Sequence, residues 1–382
     1  MSMKQRKSSY NQFLNLSANM SKLYFFITNR MVTNKTKYVN SNFNYNNNNN
    51  YDTNNYIYYF TIYLSLLSAL LLFSMIFVAN AAAFDSNATK YGFIKKWGSK
   101  GTGDGQFQRV HDLDFDPTEK YLYTVDRDGN RIQVFDKNGN FIKKWGSKGT
   151  GDGEFTVPYS VDVDSKGDVW VADRGNHRIQ KFDKDGNFLF KFGSFGSKEG
   201  QFNNPRQIAV DKDIKYVYVA DSKNNRIEKF DSSGEFIKSW GTLGNRDGQF
   251  SLPVTVIIDS NGDLIVNDRG TNRVQKFDSD GNFLLKFGST GEGNNQFSEV
   301  EHMATDKYDN IYVNDPQLGD TGSGNPSVKK FDTNGKFITK FGSVGKGNGE
   351  FTDPEHLAVD SDGKVYVSDR KANTIQVFKP IA

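Results

Sequence analysis

From Gly92 onward, apolar and polar residues alternate in short runs separated by turn residues, and the same order of runs returns six times. In the second copy, Val161 and Val163 alternate with Asp162 and Asp164, Lys166-Gly167 turns the chain, and Val169-Trp170-Val171-Ala172 follows. Arg174-Gly175-Asn176 turns it again, Ile179-Gln180-Lys181-Phe182 runs back, Lys184-Asp185-Gly186 makes a third turn, and Phe188-Leu189-Phe190-Lys191-Phe192 completes the set. A period of two, broken by Asp-Gly and Asn-Gly turns where positive φ is needed, predicts four short antiparallel strands joined by tight hairpins.

The Phe of a Gln/Glu-Phe pair anchors each copy, at Phe107, Phe155, Phe202, Phe250, Phe297 and Phe351, with spacings of 48, 47, 48, 47 and 54. Four strands in such a period make a propeller blade and not a helical repeat. The chain is therefore expected to be all-β, with a six-bladed β-propeller of four-stranded antiparallel blades over residues 91–382. The copies begin on a fourth strand, residues 93–97, and end on a third, residues 374–378. The N-terminal strand is expected to complete the C-terminal blade and close the ring, which removes two open sheet edges.

The pattern P-x-x-I-A-V-D, then V-Y-V-A-D, N-R-I and K-F-D-x-x-G-x-F, fullest from Pro205 to Phe236, resembles the NHL repeat, whose family fold is a six-bladed β-propeller. That resemblance recurs in every copy and implies the fold. It leaves function open, because the family includes RNA-binding modules, protein-binding platforms and, in peptidylglycine alpha-amidating lyase, a metal-dependent enzyme.

Ahead of the repeats, residues 57–78 carry no charge and are about as long as a membrane-spanning helix requires. Ala79-Asn80-Ala81-Ala82-Ala83 follows, a pattern that signal peptidases cut. Residues 57–83 are thus expected to form one hydrophobic helix, either a cleaved signal peptide or a transmembrane anchor that holds the chain in the membrane through residues 57–79. Residues 1–56 are low-complexity sequence rich in Asn and Tyr, a later start at Met31 would shorten them, and 84–90 form a linker. Lys22, Arg30, Lys35 and Lys37 precede the apolar run, so the repeats are expected to be extracytoplasmic, membrane-anchored or secreted.

Charge and composition narrow the task. Residues 1–83 hold seven basic residues and one acid, which leaves 41 basic and 44 acidic residues in 84–382. Such a near-neutral repeat region argues against nucleic acid as a partner. Cysteine is absent, which excludes thiolate chemistry. Asp126, Asp173, Asp221, Asp268, Asp315 and Asp369 recur at the end of the second strand and, in four copies, an Arg follows five residues later. Six-fold repetition suits a turn-stabilising carboxylate better than a catalyst.

Candidate chemistry lies where the copies differ. Counting back from the Asp that ends the first strand, the fifth preceding position holds His111, Tyr159, Arg206, Val254, Glu301 and Glu355. The fourth holds Asp112, Ser160, Gln207, Thr255, His302 and His356. His111, Asp112, Tyr159, Arg206, Glu301, His302, Glu355 and His356 are the candidate ligand-binding residues at the channel mouth. His111, His302 and His356, each beside a carboxylate, are candidate ligands for zinc or a similar divalent metal. Val110-His111-Asp112-Leu113 is similar to the histidine motif of the amidating lyase except for its missing Pro. By the period-two rule, His302 and His356, one residue later in their strands, should face away from His111. The hairpin from Asp315 to Val328 is seven residues longer than its counterpart from Asp268 to Val274 and should overhang the same mouth.

Two functions fit this picture. One is a recognition platform for a protein, peptide or cell-surface polymer; the other is a metal-dependent lyase or hydrolase with its site at the channel mouth.

Overall fold

A computed structural model describes residues 90–316 and 326–381. The chain divides into two units, residues 1–75 and 76–382, and the second holds every described residue. The expected hydrophobic helix, the low-complexity segment and the lengthened part of the Asp315–Val328 hairpin all lie outside the described residues.

The fold is an all-β propeller of six four-stranded antiparallel sheets. Their innermost strands are Val110–Phe115, Ser160–Val163, Pro205–Val210, Pro253–Ile258, Met303–Thr305 and Pro354–Val359, in blades one to six. Within each of the first five sheets, strand order follows the chain. In the sixth, the outermost strand is Lys90–Trp97, paired antiparallel to Thr374–Ile381 with Phe93 opposite Phe378 and Trp97 opposite Ile375. Among the described residues, three single 3-10 turns, Arg174–Asn176, Ser222–Asn224 and Arg269–Thr271, interrupt the strands, and no helix is long and apolar enough to cross a membrane.

The core is laid between blades. Phe107, Phe155, Phe202, Phe250, Phe297 and Phe351 are fully buried, and each packs against a third-strand Phe with ring centroids 5.5 to 5.7 Å apart. Burying a side chain of this size contributes roughly 1.5–3 kcal/mol. The aromatic residue that ends each outer strand reaches over the next blade: a Cβ on Gly139 would sit 2.6 Å from the Trp97 ring, and one on Gly186 would sit 2.8 Å from Trp145. Both glycines also have positive φ, +86° and +90°, so the hairpin turn and the ring above it both require glycine.

The recurring Asp and Arg form a clasp. Asp173 Oδ1 accepts the Thr156 N–H at 2.8 Å and its Oδ2 accepts Arg178 Nε at 2.8 Å. Arg178 also donates to the carbonyls of Thr150, Gly151 and Glu154, which pins the glycine-rich link to its blade. The amide donors come from the residues just after the Gln/Glu-Phe pair, not from the turn after the second strand, because the link returns past that carboxylate. Asp126, Asp221, Asp268, Asp315 and Asp369 accept equivalent amides.

Candidate functional site

Each innermost strand is a sheet edge, so one side of its backbone has no partner within its own blade. Side chains from the neighbouring blade supply one. Asp112 Oδ2 accepts the Val161 N–H at 3.0 Å, Asp114 Oδ2 accepts that of Val163 at 2.8 Å, and Ser160 Oγ accepts that of Ile208 at 3.2 Å. Thr255 Oγ1 donates to the Glu301 carbonyl at 3.0 Å, and His302 Nδ1 accepts the Leu357 N–H at 3.3 Å. His356 Nδ1 bonds Asp112 Oδ1 at 2.8 Å, which joins blade six to blade one. The fourth-position residues thus sew the blades together, and His302 and His356 belong to that seam.

A second layer lies beside it. His111, Tyr159, Glu301 and Glu355 are buried, and Arg206 is 9 % exposed. The expectation that His302 and His356 face away from His111 fails for His356, whose ring centroid lies 4.4 Å from that of His111; His302 meets His356, at 4.0 Å, and shares no ligand group with His111. The reason is a register shift between Val110 and Leu113 and another between Pro354 and Leu357. A bulge breaks strict alternation and turns consecutive side chains inward.

Hydrogen bonding assigns the imidazole protons. His111 Nδ1 lies 2.8 Å from the Tyr159 carbonyl, which can only accept, so Nδ1 carries the hydrogen; in the neutral ring Nε2 then carries a lone pair, and at 3.0 Å from Glu355 Oε1 the two acceptors repel unless a positive charge lies between them. His356 donates from Nδ1 to the Asp112 carboxylate, which leaves the same lone pair on its Nε2. His302 accepts at Nδ1, so its hydrogen is on Nε2. None of the three buried Nε2 atoms has a hydrogen-bond partner. Burial holds all three imidazoles well below their ordinary range, helped at His111 by the charges of Arg127 and Arg370, at His302 by His356 and at His356 by His111.

The donors fall into two groups close enough to share an ion, His111 with Glu355 and His356, and Asp112 with His302 and His356. The three histidines do not form one group. The first group fits a metal better: both its histidines present Nε2 lone pairs, with their Nδ1–H groups held by a backbone carbonyl and a carboxylate, the outer-shell arrangement of metal-binding histidines. His302 presents an N–H instead.

Sequence reading missed the arginines that surround this layer. Arg127, Arg174, Arg269 and Arg370 each follow the Asp that ends a second strand, and the antiparallel register returns them to the end where the first strands begin. The Asp-Arg dipeptide in four of six copies was the available signal. Arg269 pairs with Glu299 and, at 3.1 Å, with Glu301; Arg370 pairs with Asp353 at 2.7 Å and Glu355 at 2.9 Å. The guanidinium groups of Arg174 and Arg206 lie 5.1 and 5.2 Å from the centre of the Tyr159 ring, whose hydroxyl donates to Glu301 at 3.3 Å. From the seam toward the other end of the first strands runs a central cavity of about 360 Å³, lined by Asp112, Gln207 and His302 near one end and by Asp116, Glu119 and Thr305 near the other.

Sequence and structure comparisons agree with this architecture. The NHL repeat family model matches residues 155–182, and a family described as a 6-bladed beta-propeller matches residues 326–379. The chain carries an NHL repeat within a six-bladed propeller. The propeller is similar to a structural genomics protein of unknown function from Bacteroides thetaiotaomicron, at 18% identity over 76% of this chain and 75% of that one, with a TM-score of 0.57. It is also similar to virginiamycin B lyase from Staphylococcus aureus, at 12% identity over 76% of this chain and 100% of the other, with a TM-score of 0.52. A catalytically inactive histidine-to-alanine form of that lyase, with quinupristin, aligns at 11% identity over the same shares, with a TM-score of 0.53. At these identities the likeness concerns the fold alone. No curated protein matches the chain.

Proposed function

We propose that this propeller is an extracytoplasmic recognition platform, membrane-attached or secreted, that binds a protein, peptide or surface polymer on the face carrying Arg127, Arg174, Arg206, Arg269 and Arg370. NHL propellers commonly mediate protein interactions. One observation carries the choice of face: at that end the buried Nε atoms of Arg127, Arg174 and Arg206 have no hydrogen-bond partners. Buried polar groups are normally paired, so a cluster of unpaired ones marks a surface finished by something else. The location rests on the uncharged run at 57–78 and the Ala-rich stretch after it.

Both halves of the proposal can be tested on the full chain. Because the chain has no cysteine, Ser165→Cys introduces a single exposed thiol. A membrane-impermeant maleimide should label it on intact cells, and labelling only after lysis would contradict the location. Arrays of immobilised peptides and cell-surface polysaccharides should retain the wild-type chain and lose it with Tyr159→Leu. Equal retention of both proteins would move the binding face elsewhere.

A second reading, a metal-dependent lyase or hydrolase, is favoured by the Nε2 lone pairs of His111 and His356 beside Glu355. A bound divalent ion there would polarise a carbonyl or acidify a water. The residues of this chain would hold it, fix the ring orientations through Tyr159 and Asp112, and exclude bulk solvent. The nearby Arg127, Arg206 and Arg370 oppose positive charge at His111. This reading expects about one ion per chain by elemental analysis, lost in His111→Ala and His356→Ala but kept in His302→Ala. Protein that stays metal-free after equilibration with zinc or magnesium salts would sink it.

A further inference from the structure

Buried and half-buried arginines elsewhere in this propeller are paired with carboxylates. Arg131, Arg178, Arg226 and Arg273 each lie within 3.3 Å of an Asp oxygen, and Arg269 and Arg370 have the glutamates described above. The arc through blades one to three departs from that rule. Arg206, 9 % exposed, has no hydrogen-bond partner at Nε or Nη1. Arg174, half-buried, has none at Nε, and neither residue has a carboxylate within ion-pair distance among the described residues. Arg127 reaches only Asp128, at 3.9 Å, and its Nε has no hydrogen-bond partner. A buried guanidinium without an anion is costly, and removing its donors from water adds to that cost.

The surroundings reinforce this imbalance. Five arginines stand against Glu299, Glu301, Asp353 and Glu355 in this layer, and all four carboxylates are paired with Arg269 or Arg370, which leaves Arg127, Arg174 and Arg206 with no ion pair among the described residues beyond the 3.9 Å contact of Arg127 with Asp128. Burial and then the charge of Arg206 hold Arg174 below its ordinary value, whereas at Arg206 the lowering by burial is outweighed by Tyr159, Glu301 and Glu355, which hold it above its own. Both stand over one ring, Tyr159, at 5.1 and 5.2 Å from its centre.

We propose that Arg127, Arg174 and Arg206, arrayed about Tyr159, form a receptor for a polyoxygen anion, a phosphate or sulfate group carried by the ligand of this face. Guanidinium forks donate pairs of parallel hydrogen bonds to such oxygens. Three forks outnumber the two oxygens of one carboxylate, whereas a tetrahedral oxyanion can serve several at once. The assignment rests on the recognition reading above and gives its ligand a chemical class.

The test titrates the full-length chain, in detergent, with inorganic phosphate, sulfate and acetate at constant ionic strength, by calorimetry. The wild type should bind phosphate or sulfate saturably at one site, and the tighter of the two identifies the group carried. Arg174→Gln and Arg206→Lys should each weaken that binding by at least about tenfold, the loss of roughly one charge-assisted hydrogen bond. Exposed Arg246→Gln should leave it unchanged. If Arg206→Lys fails to fold, Arg174→Gln, whose side chain has no ion-pair partner, still decides the matter. No saturable binding, equal affinity in all four proteins, or acetate bound as tightly as the tetrahedral anions would overturn the receptor. Array binding that survives in Arg174→Gln would keep the platform and discard the receptor; anion binding without any array binding would do the reverse.

Discussion

Arg174 and Arg178 sit four residues apart in the same blade and live differently. Arg178 bonds Asp173 and three carbonyls of the glycine-rich link at 2.7 to 2.8 Å, and it is buried. Arg174 makes no ion pair, lies against a tyrosine ring and leaves its Nε unpartnered. Where the blade needs an arginine, the fold satisfies its donors, and the same position in the repeat carries it again as Arg131, Arg226 and Arg273. Where the donors are left open, the residue does little to hold the blade together. Both positions carry Arg in four of the six copies, so repetition does not separate them; unsatisfied chemistry does.

The largest effect that would break this contrast concerns the clasp. Arg178→Ala leaves Asp173 buried without its countercharge and frees three link carbonyls, so it should destabilise the propeller by about 3 kcal/mol or more in urea unfolding. A loss below about 1 kcal/mol would mean that the clasp is decorative. The seam between blades comes next. Asp112→Ala strips the acceptor from the Val161 amide and from His356 Nδ1, and should cost about 2–3 kcal/mol by the same measurement.

A smaller effect depends on pH. Asp114 and Asp162 are half-buried and in contact; desolvation first, and for Asp162 then the charge of Asp114, raise both, Asp114 from 3.8 to about 6 and Asp162 well above 3.8. The folded state therefore keeps protons that the unfolded chain has released. Their contribution to stability is full below about pH 4 and is lost as pH rises through about 6. Asp162→Asn should flatten the fall in melting temperature between those pH values; an unchanged slope would assign it to other groups. Smallest of all, Arg174→Gln should alter stability by no more than about 0.5 kcal/mol, because no partner is lost. A large loss would show that Arg174 serves the blade after all.

Much of the fold was legible because it depends on local pattern repeated six times. The turn glycines, the period-two strands and the buried Phe of each Gln/Glu-Phe pair are visible copy by copy. The inward-facing polar positions were legible as places of disagreement between copies, and His111, Tyr159, Arg206, Glu301 and Glu355 do converge. Their orientation was not legible. Strict alternation turned His356 the wrong way because register shifts between Val110 and Leu113, and between Pro354 and Leu357, depend on how each first strand meets its second. The arginine layer escaped notice because its members belong to a different turn from the first-strand residues they join.

By itself, then, the sequence determined the blade, its number of copies and the residues each blade reserves for its own hydrogen bonds, since those interactions lie within one repeat. Only the tertiary structure decided which odd residues meet. His356 reaches Asp112 across 244 positions of chain, and Tyr159 reaches Glu301 across 142. Contacts of that span leave no periodic trace in the sequence, because they are made by bringing six separate first strands to one axis. The unpaired guanidinium groups of Arg174 and Arg206 are a property of that meeting and of no single repeat.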